Sequence, residues 1–182
     1  MNYSNIIKYD CANGEGWRTT LFVSGCNLHC KGCFNEEAQD FNYGEPFTMF
    51  TLINLIDMIK DPVVQGLSIL GGDPLCQDAN GLLRLQDICN RVHGLGKTVW
   101  LWSGLTWEEI FDSDNNYEEV PALKYRQELI KNVDVFIDGP FIEALKDPSL
   151  KWRGSSNQRI IDVKQSLKYG CAIRYNTKLK ED

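Results

Sequence analysis

Segments of strand-like composition alternate with segments of helical period along this chain, and that alternation limits its fold more than any other feature. Residues 19–24 (TTLFVS), 66–70 (GLSIL), 97–102 (KTVWLW) and 133–137 (VDVFI) are short runs rich in β-branched and aromatic residues, and they read as strands. Between them, residues 48–60 carry Met49, Leu52, Ile53, Ile56 and Ile59 along one helical stripe. Residues 79–93 read as a second helix, closed by Gly94 and Gly96. Thr106 and Glu109 have the spacing of a capping box that opens a short helix, and residues 121–131 read as a helix with Pro121 near its first turn. Residues 159–163 are a last strand candidate.

Strand–helix–strand units join through right-handed crossovers into a parallel sheet. A complete eight-fold barrel needs about 250 residues, and this chain has 182. The expected fold class is therefore α/β, a partial (incomplete) β/α barrel with a parallel sheet. No repeat, low-complexity tract or linker divides the chain. It reads as one domain over residues 1–182, with a core at about 13–163 and a C-terminal tail at 164–182 whose Lys and Arg residues suit a solvated surface.

The chemically unusual residues follow the strand candidates. Cys26, Cys30 and Cys33 come after the first, Gly71, Gly72, Asp73 and Pro74 after the second, Ser103 and Gly104 after the third, and Asp138, Gly139 and Pro140 after the fourth. Sites in parallel α/β sheets lie outside the carboxyl ends of the strands, so these motifs are expected to line one face.

Three of the seven cysteines fall in a C-x3-C-x2-C run. An odd number of cysteines with no export signal argues for metal or redox work rather than a disulfide framework. Thiolates are soft ligands for iron–sulfur clusters or zinc. Three thiolates on one loop would leave one iron of a 4Fe–4S cube open. A zinc site completed by His29 or Cys11 is the other reading. Gly71 and Gly72 would let the backbone approach a ligand closely, and Asp73 would accept from a ligand ammonium; the same four residues are also good turn formers. Cys76 reads as a small packed side chain, with a role near the site as the other reading, and Cys11, Cys89 and Cys171 read as structural. Trp100, Trp102 and Trp107 read as core or wall. A net charge of −6 argues against a nucleic-acid partner. The chain has no apolar run of roughly 18 residues, and residues 1–10 lack a basic start with an apolar stretch, so no membrane association and a cytoplasmic location are expected.

A cysteine triplet after a first strand and a GGDP element after a later one together resemble the radical SAM (S-adenosylmethionine) superfamily. The blocks TTLFVSGCNLHCKGCFNEEAQDF (19–41), SILGGDPLCQ (68–77), KTVWLWSGLTWEEI (97–110) and VDVFIDGPFIEALKDPSLKWRGSSNQRIIDV (133–163) are similar, more closely, to the activating proteins of anaerobic ribonucleotide reductase. The last block is the most specific, since radical SAM enzymes do not share it generally.

The resemblance implies a radical SAM type of partial barrel. It implies that Cys26, Cys30 and Cys33 hold one 4Fe–4S cluster, and that SAM chelates the remaining iron. Gly71, Gly72 and Asp73 would bind the methionyl end, with Asp73 one methylene shorter than the usual glutamate. Gly32, Cys33, Phe34, Ser103 and Gly104 would contact the rest of SAM. Gly32 stands where the superfamily often has an aromatic residue, which leaves Phe34 for the adenine. The activity implied is reductive cleavage of SAM to a 5′-deoxyadenosyl radical, which takes a hydrogen from a glycine of the anaerobic ribonucleotide reductase large subunit. Reduced flavodoxin or a similar donor would supply the electron. Asp138, Arg153 and Arg159 would contact SAM or the partner, or else serve as turn and capping residues. The alternatives are an activase of another glycyl-radical enzyme, another small radical SAM enzyme, or a zinc-binding or electron-transfer module.

Overall fold

The computed structural model describes residues 1–111 and 122–176. Among the described residues, seven strands form one open sheet: β1 (Asn2–Asp10), β2 (Arg18–Val23), β3 (Glu45–Pro46), β4 (Gly66–Gly71), β5 (Thr98–Trp102), β6 (Val135–Asp138) and β7 (Arg159–Asp162). Their order across the sheet is β3-β1-β2-β4-β5-β6-β7. The central strands β2, β4, β5 and β6 are mutually parallel. The helices are α1 (Met49–Ile59), α2 (Ala79–Gly94), α3 (Trp107–Phe111), α4 (Leu123–Ile130) and α5 (Val163–Tyr169). No helix among the described residues is long and apolar enough to cross a membrane.

Local chemistry explains most of the helix boundaries. Thr48 caps α1 in a reciprocal box with Thr51. Asp78 accepts from the Gly81 N–H at 2.7 Å to start α2. The expected Thr106–Glu109 box opens α3, with the Thr106 N–H donating to Glu109 Oε2 at 2.6 Å and the Glu109 N–H to Thr106 Oγ1 at 3.3 Å. The proline expected at the start of the next helix lies outside the described residues.

Alternation along the strands separates two faces. Leu21, Val23, Leu67, Ile69, Val99, Leu101 and Phe136 pack against Leu55 and Ile59 of α1, Leu85 and Ile88 of α2 and Leu129 of α4. The other face carries Trp100, Val135 and Ile137, joined by Trp102, Trp152 and Tyr175. Arg18 is buried at the base of this face, where its guanidinium donates to Ser68 Oγ at 2.7 Å and to the Leu67 carbonyl at 2.8 Å. Its Cζ lies 5.3 Å from the Trp100 ring. Trp107 belongs to the helix-side core.

The sheet departs from the expected all-parallel arrangement at both edges. β1 pairs antiparallel with β2 and β3, and β7 pairs antiparallel with β6. The cause at β7 is the connection. Between β6 and β7 the chain makes only a 3-10 turn at Glu143–Leu145 and an isolated bridge between Lys146 and Ser155, and without a crossover helix a strand returns antiparallel. β1 escaped the sequence reading because it is half exposed and mixed in polarity. The stretch read as tail begins with α5, which ends on Gly170 in the left-handed region. The chain then runs back along β7: the Asp162 N–H donates to the Ile173 carbonyl, and the Tyr175 N–H to the Ile160 carbonyl, each at 2.9 Å.

A candidate metal centre at the strand ends

Four parallel strands end on one side of the sheet, and the segments that follow them surround a cavity of about 930 Å³. β2 leads into the cysteine loop. Gly25 takes φ +103°, and the Phe41 ring occupies the space a Cβ would need there. The Gly25 N–H donates to the Ala38 carbonyl at 2.8 Å and the Cys26 N–H to the Gln39 carbonyl at 3.0 Å, so the start of the loop is strapped to the Glu37–Gln39 turn. His29 and Gly32 both have positive φ, which coils the loop tightly enough for the Cys33 N–H to reach the Cys30 carbonyl at 3.2 Å. Cys26, Cys30 and Cys33 all line the cavity; the first is buried and the others are half-buried. Phe34 lines it too and is fully exposed, while Gly32 is not part of the wall.

β4 supplies the opposite lip. Gly71 has φ +123°, and a Cβ on Gly72 would stand 2.5 Å from the Ala38 carbonyl oxygen and 2.6 Å from that of Gly25. Glycine is required at both positions. The Asp73 carboxylate is buried and ties two strand ends together. Its Oδ1 accepts from the Leu75 N–H at 2.8 Å, and its Oδ2 accepts from Ser103 Oγ at 2.9 Å and the Gly104 N–H at 2.8 Å. Burial pushes the Asp73 carboxyl up, and these three donors oppose that shift. Asp73 thus holds the turn containing Ser103 and Gly104, both of which line the cavity.

The thiols differ in their surroundings. The neighbouring Cys76 thiol holds Cys26 below the usual range, helped by the Leu28 N–H 3.4 Å from its sulfur and opposed by burial. Cys76 is pushed up in return, and burial pushes Cys30 up. Among the described residues, the group of candidate ligand atoms lying within 4.8 Å of one another is Cys26, Asp73 and Cys76. His29 Nδ1 lies 2.9 Å from Gln39 Oε1, and Cys11 is exposed outside the cavity wall. Three thiols on one glycine-bearing loop suit an iron–sulfur cluster by donor chemistry and by their shared cavity.

The remaining candidates divide. Arg153 lines the cavity, donates from Nη1 to the Gln158 carbonyl at 2.7 Å, and has a buried Nε with no hydrogen-bond partner among the described residues. Asp138 and Arg159 stand outside the cavity wall and face each other across β6 and β7. Asp138 is fully buried. It accepts from the Trp107 N–H at 2.8 Å and from Arg159 Nε at 2.9 Å, with a second, shorter contact from Nη2. Arg159 also reaches Glu108, Nη1 to Oε1 at 3.1 Å and Nη2 to Oε2 at 2.6 Å.

Two further parts of the site needed the structure. Cys76 read as a small packed side chain, with nothing local to indicate its distance to Cys26. The aromatic floor was legible in the alternation of β5, but its lid, Trp152, was not. Trp152 holds φ +62°, accepts from Trp102 Nε1 at 2.7 Å through its carbonyl, and packs its ring edge-on to Trp100 with centroids 5.0 Å apart.

Residues 12–161 match the family model of the 4Fe–4S single cluster domain. The anaerobic ribonucleoside-triphosphate reductase-activating protein of Escherichia coli K12 is 38% identical over 161 residues, covering 87% of this chain and 96% of its own length. This chain belongs to that family of activating proteins. Its counterpart in Vibrio cholerae is 39% identical over 164 residues (88% of this chain, 97% of the relative), and that of Enterobacteria phage T4 is 36% identical over 165 residues (88% and 93%). The matched domain takes in all four strand-end motifs and leaves out β1 and α5. In this chain those two elements flank the domain that carries the cysteine loop.

Proposed function

We propose that this chain is a radical SAM activase that generates a glycyl radical on the large subunit of the anaerobic ribonucleotide reductase. The observation that carries the reading is the convergence of Cys26, Cys30 and Cys33 with the Gly71–Asp73 lip on one cavity at the ends of four parallel strands. A 4Fe–4S cluster with SAM bound supplies a one-electron cleavage of the sulfonium that releases methionine and a 5′-deoxyadenosyl radical. Cys26, Cys30 and Cys33 would hold that cluster through their sulfurs, and the cluster so held would supply the binding point for SAM.

The chain's own residues do the positioning. Gly71 and Gly72 bring bare backbone to the lip, so the methionyl end of SAM can approach its peptide groups closely. Asp73 holds that lip against the Ser103–Gly104 turn through its buried carboxylate, which keeps both surfaces at a set separation. Phe34 offers an exposed ring at the mouth for the adenine. Arg153 lines the cavity, and its positive charge suits a carboxylate-bearing ligand there. Trp102 and Trp152 line the cavity and are backed by Trp100.

The parallel strands, with helices on one face and a cavity at their carboxyl ends, support a partial barrel of the radical SAM type in a single domain. An open sheet leaves one flank free for a macromolecular substrate, here a glycine loop of the reductase. A reduced flavodoxin or similar carrier is the electron donor in this reading, and the setting is cytoplasmic with no nucleic acid or membrane involved.

The test is anaerobic. Protein reconstituted with iron and sulfide receives SAM and dithionite, with and without the reductase, and 5′-deoxyadenosine is measured beside Cys30→Ala. Wild type is expected to release 5′-deoxyadenosine and to raise a glycyl electron paramagnetic resonance signal on the reductase, and Cys30→Ala to do neither. A fully loaded wild-type protein that releases no 5′-deoxyadenosine with the reductase present refutes the reading.

A further inference from the structure

Cys76 stands outside the C-x3-C-x2-C run, yet its sulfur, that of Cys26 and a carboxylate oxygen of Asp73 lie within 4.8 Å of one another. Neither Cys30 nor Cys33 belongs to that group. The closeness is enforced by the backbone. Val23 and Gly71 pair at the ends of β2 and β4, and the segments beyond are locked together by the Gly72 N–H to the Val23 carbonyl (2.7 Å), the Asp73 N–H to the Gly25 carbonyl (2.8 Å) and Gln77 Nε2 to the Ser24 carbonyl (2.9 Å). Two thiols on separate, fixed turns are therefore held in reach of one another. A disulfide needs the two sulfurs at roughly 2.05 Å, and their separation here is already within 4.8 Å.

We propose that Cys26 and Cys76 form a reversible disulfide when the cluster is absent, making Cys76 a redox partner of a cluster ligand rather than a ligand itself. This rests on the reading of Cys26 as a ligand: with iron on its sulfur the pair cannot close, and without iron it can. A small-molecule disulfide such as oxidised glutathione is the oxidant. The Cys26 thiolate attacks one of its sulfurs, a mixed disulfide forms and one glutathione thiolate leaves. The sulfur of Cys76, giving its proton to solvent, then attacks Cys26 Sγ and expels the second glutathione thiolate. The two protein thiols lose two electrons, and the reagent disulfide gains them as two thiols. A dithiol reverses the exchange and returns both sulfurs, whereas oxidation of Cys26 to a sulfinic acid is not undone in this way.

Peptide mapping of the full chain reads this directly. Trypsin separates residues 19–31, with Cys26 and Cys30, from residues 32–60, with Cys33, and from residues 61–84, with Cys76. Cluster-free protein equilibrated with oxidised glutathione under exclusion of air is expected to yield peptide 19–31 joined to peptide 61–84, with fragment ions assigning the bond to Cys26. Cluster-loaded protein is expected to yield no such pair. Cys76→Ser is expected to leave Cys26 carrying glutathione, and to take up as much iron and sulfide on reconstitution as the wild type.

Three results overturn the proposal: Cys26 joined to Cys30 or Cys33, Cys26 glutathionylated while Cys76 stays a free thiol, or Cys76→Ser losing iron, which would make Cys76 a ligand. The map is made without SAM or reductase. A correct map from protein that never cleaves SAM counts against the proposed activity alone, and a missing bond in protein that does cleave it counts against this inference alone.

Discussion

Replacing Arg159 by leucine decides whether the Asp138–Arg159 pair is a brace or a ligand contact. Asp138 is fully buried at the end of β6, and Arg159 opposes it at the start of β7. In Arg159→Leu the carboxylate keeps the Trp107 N–H at 2.8 Å and loses both guanidinium donors. Removing one member of a buried pair costs about 3–5 kcal/mol, because the other charge stays behind without compensation. Arg159 is 31% exposed, so water softens the loss and sets the expectation near the lower end, about 3 kcal/mol. In a domain of this size each kcal/mol moves the midpoint by about 2–4 °C, so a fall of about 6–12 °C is expected.

Calorimetry on reduced, cluster-free protein measures that fall without involving SAM. Two companions refine it. Glu108→Gln acts on the outer pair, whose carboxylate is 55% exposed, and should cost under about 1 kcal/mol. Combining Asp138→Asn with Arg159→Leu removes the stranded charge and should recover much of the loss. A midpoint for Arg159→Leu within about 2 °C of wild type, together with weakened SAM binding by the loaded protein, would overturn the reasoning and make Arg159 a ligand residue.

Gly72→Ala drives a Cβ to within 2.5 Å of the Ala38 carbonyl oxygen, a backbone atom that cannot swing away. It is expected to cost about 1–3 kcal/mol and to lower the iron taken up on reconstitution; unchanged melting and iron content would show that the lip yields. Burial pushes the Cys89 thiol up to about 12 from an ordinary 9.0. The folded state therefore holds that proton more tightly than the unfolded chain, so the contribution is complete below the unfolded value and is lost as pH rises from 9.0 toward about 12. Urea midpoints taken on both sides of the lower limit should fall further for wild type than for Cys89→Ala, and parallel slopes would rule the burial effect out.

The cysteine spacing, the GGDP turn and the strand and helix periods are properties of neighbouring residues, and a reading of the chain in order recovered them. It also recovered the convergence of four motifs on one face, since every parallel strand delivers its C-terminal loop to the same side. The relative positions of groups far apart in the sequence had no such local record. β7 runs antiparallel because a turn, not a helix, connects it to β6. Asp138 and Arg159 meet because that antiparallel register sets them opposite one another. Asp73 braces the Ser103–Gly104 turn because β4 and β5 lie side by side. Cys76 reaches Cys26 for the same kind of reason: strand pairing aligns Val23 with Gly71, and only that alignment brings together two turns some fifty residues apart. Spacing along the chain determined which residues could serve as ligands and where each turn would fall. Hydrogen-bonded register between strands decided which side chains share a site, because it is cooperative over the whole sheet and is written in no single segment.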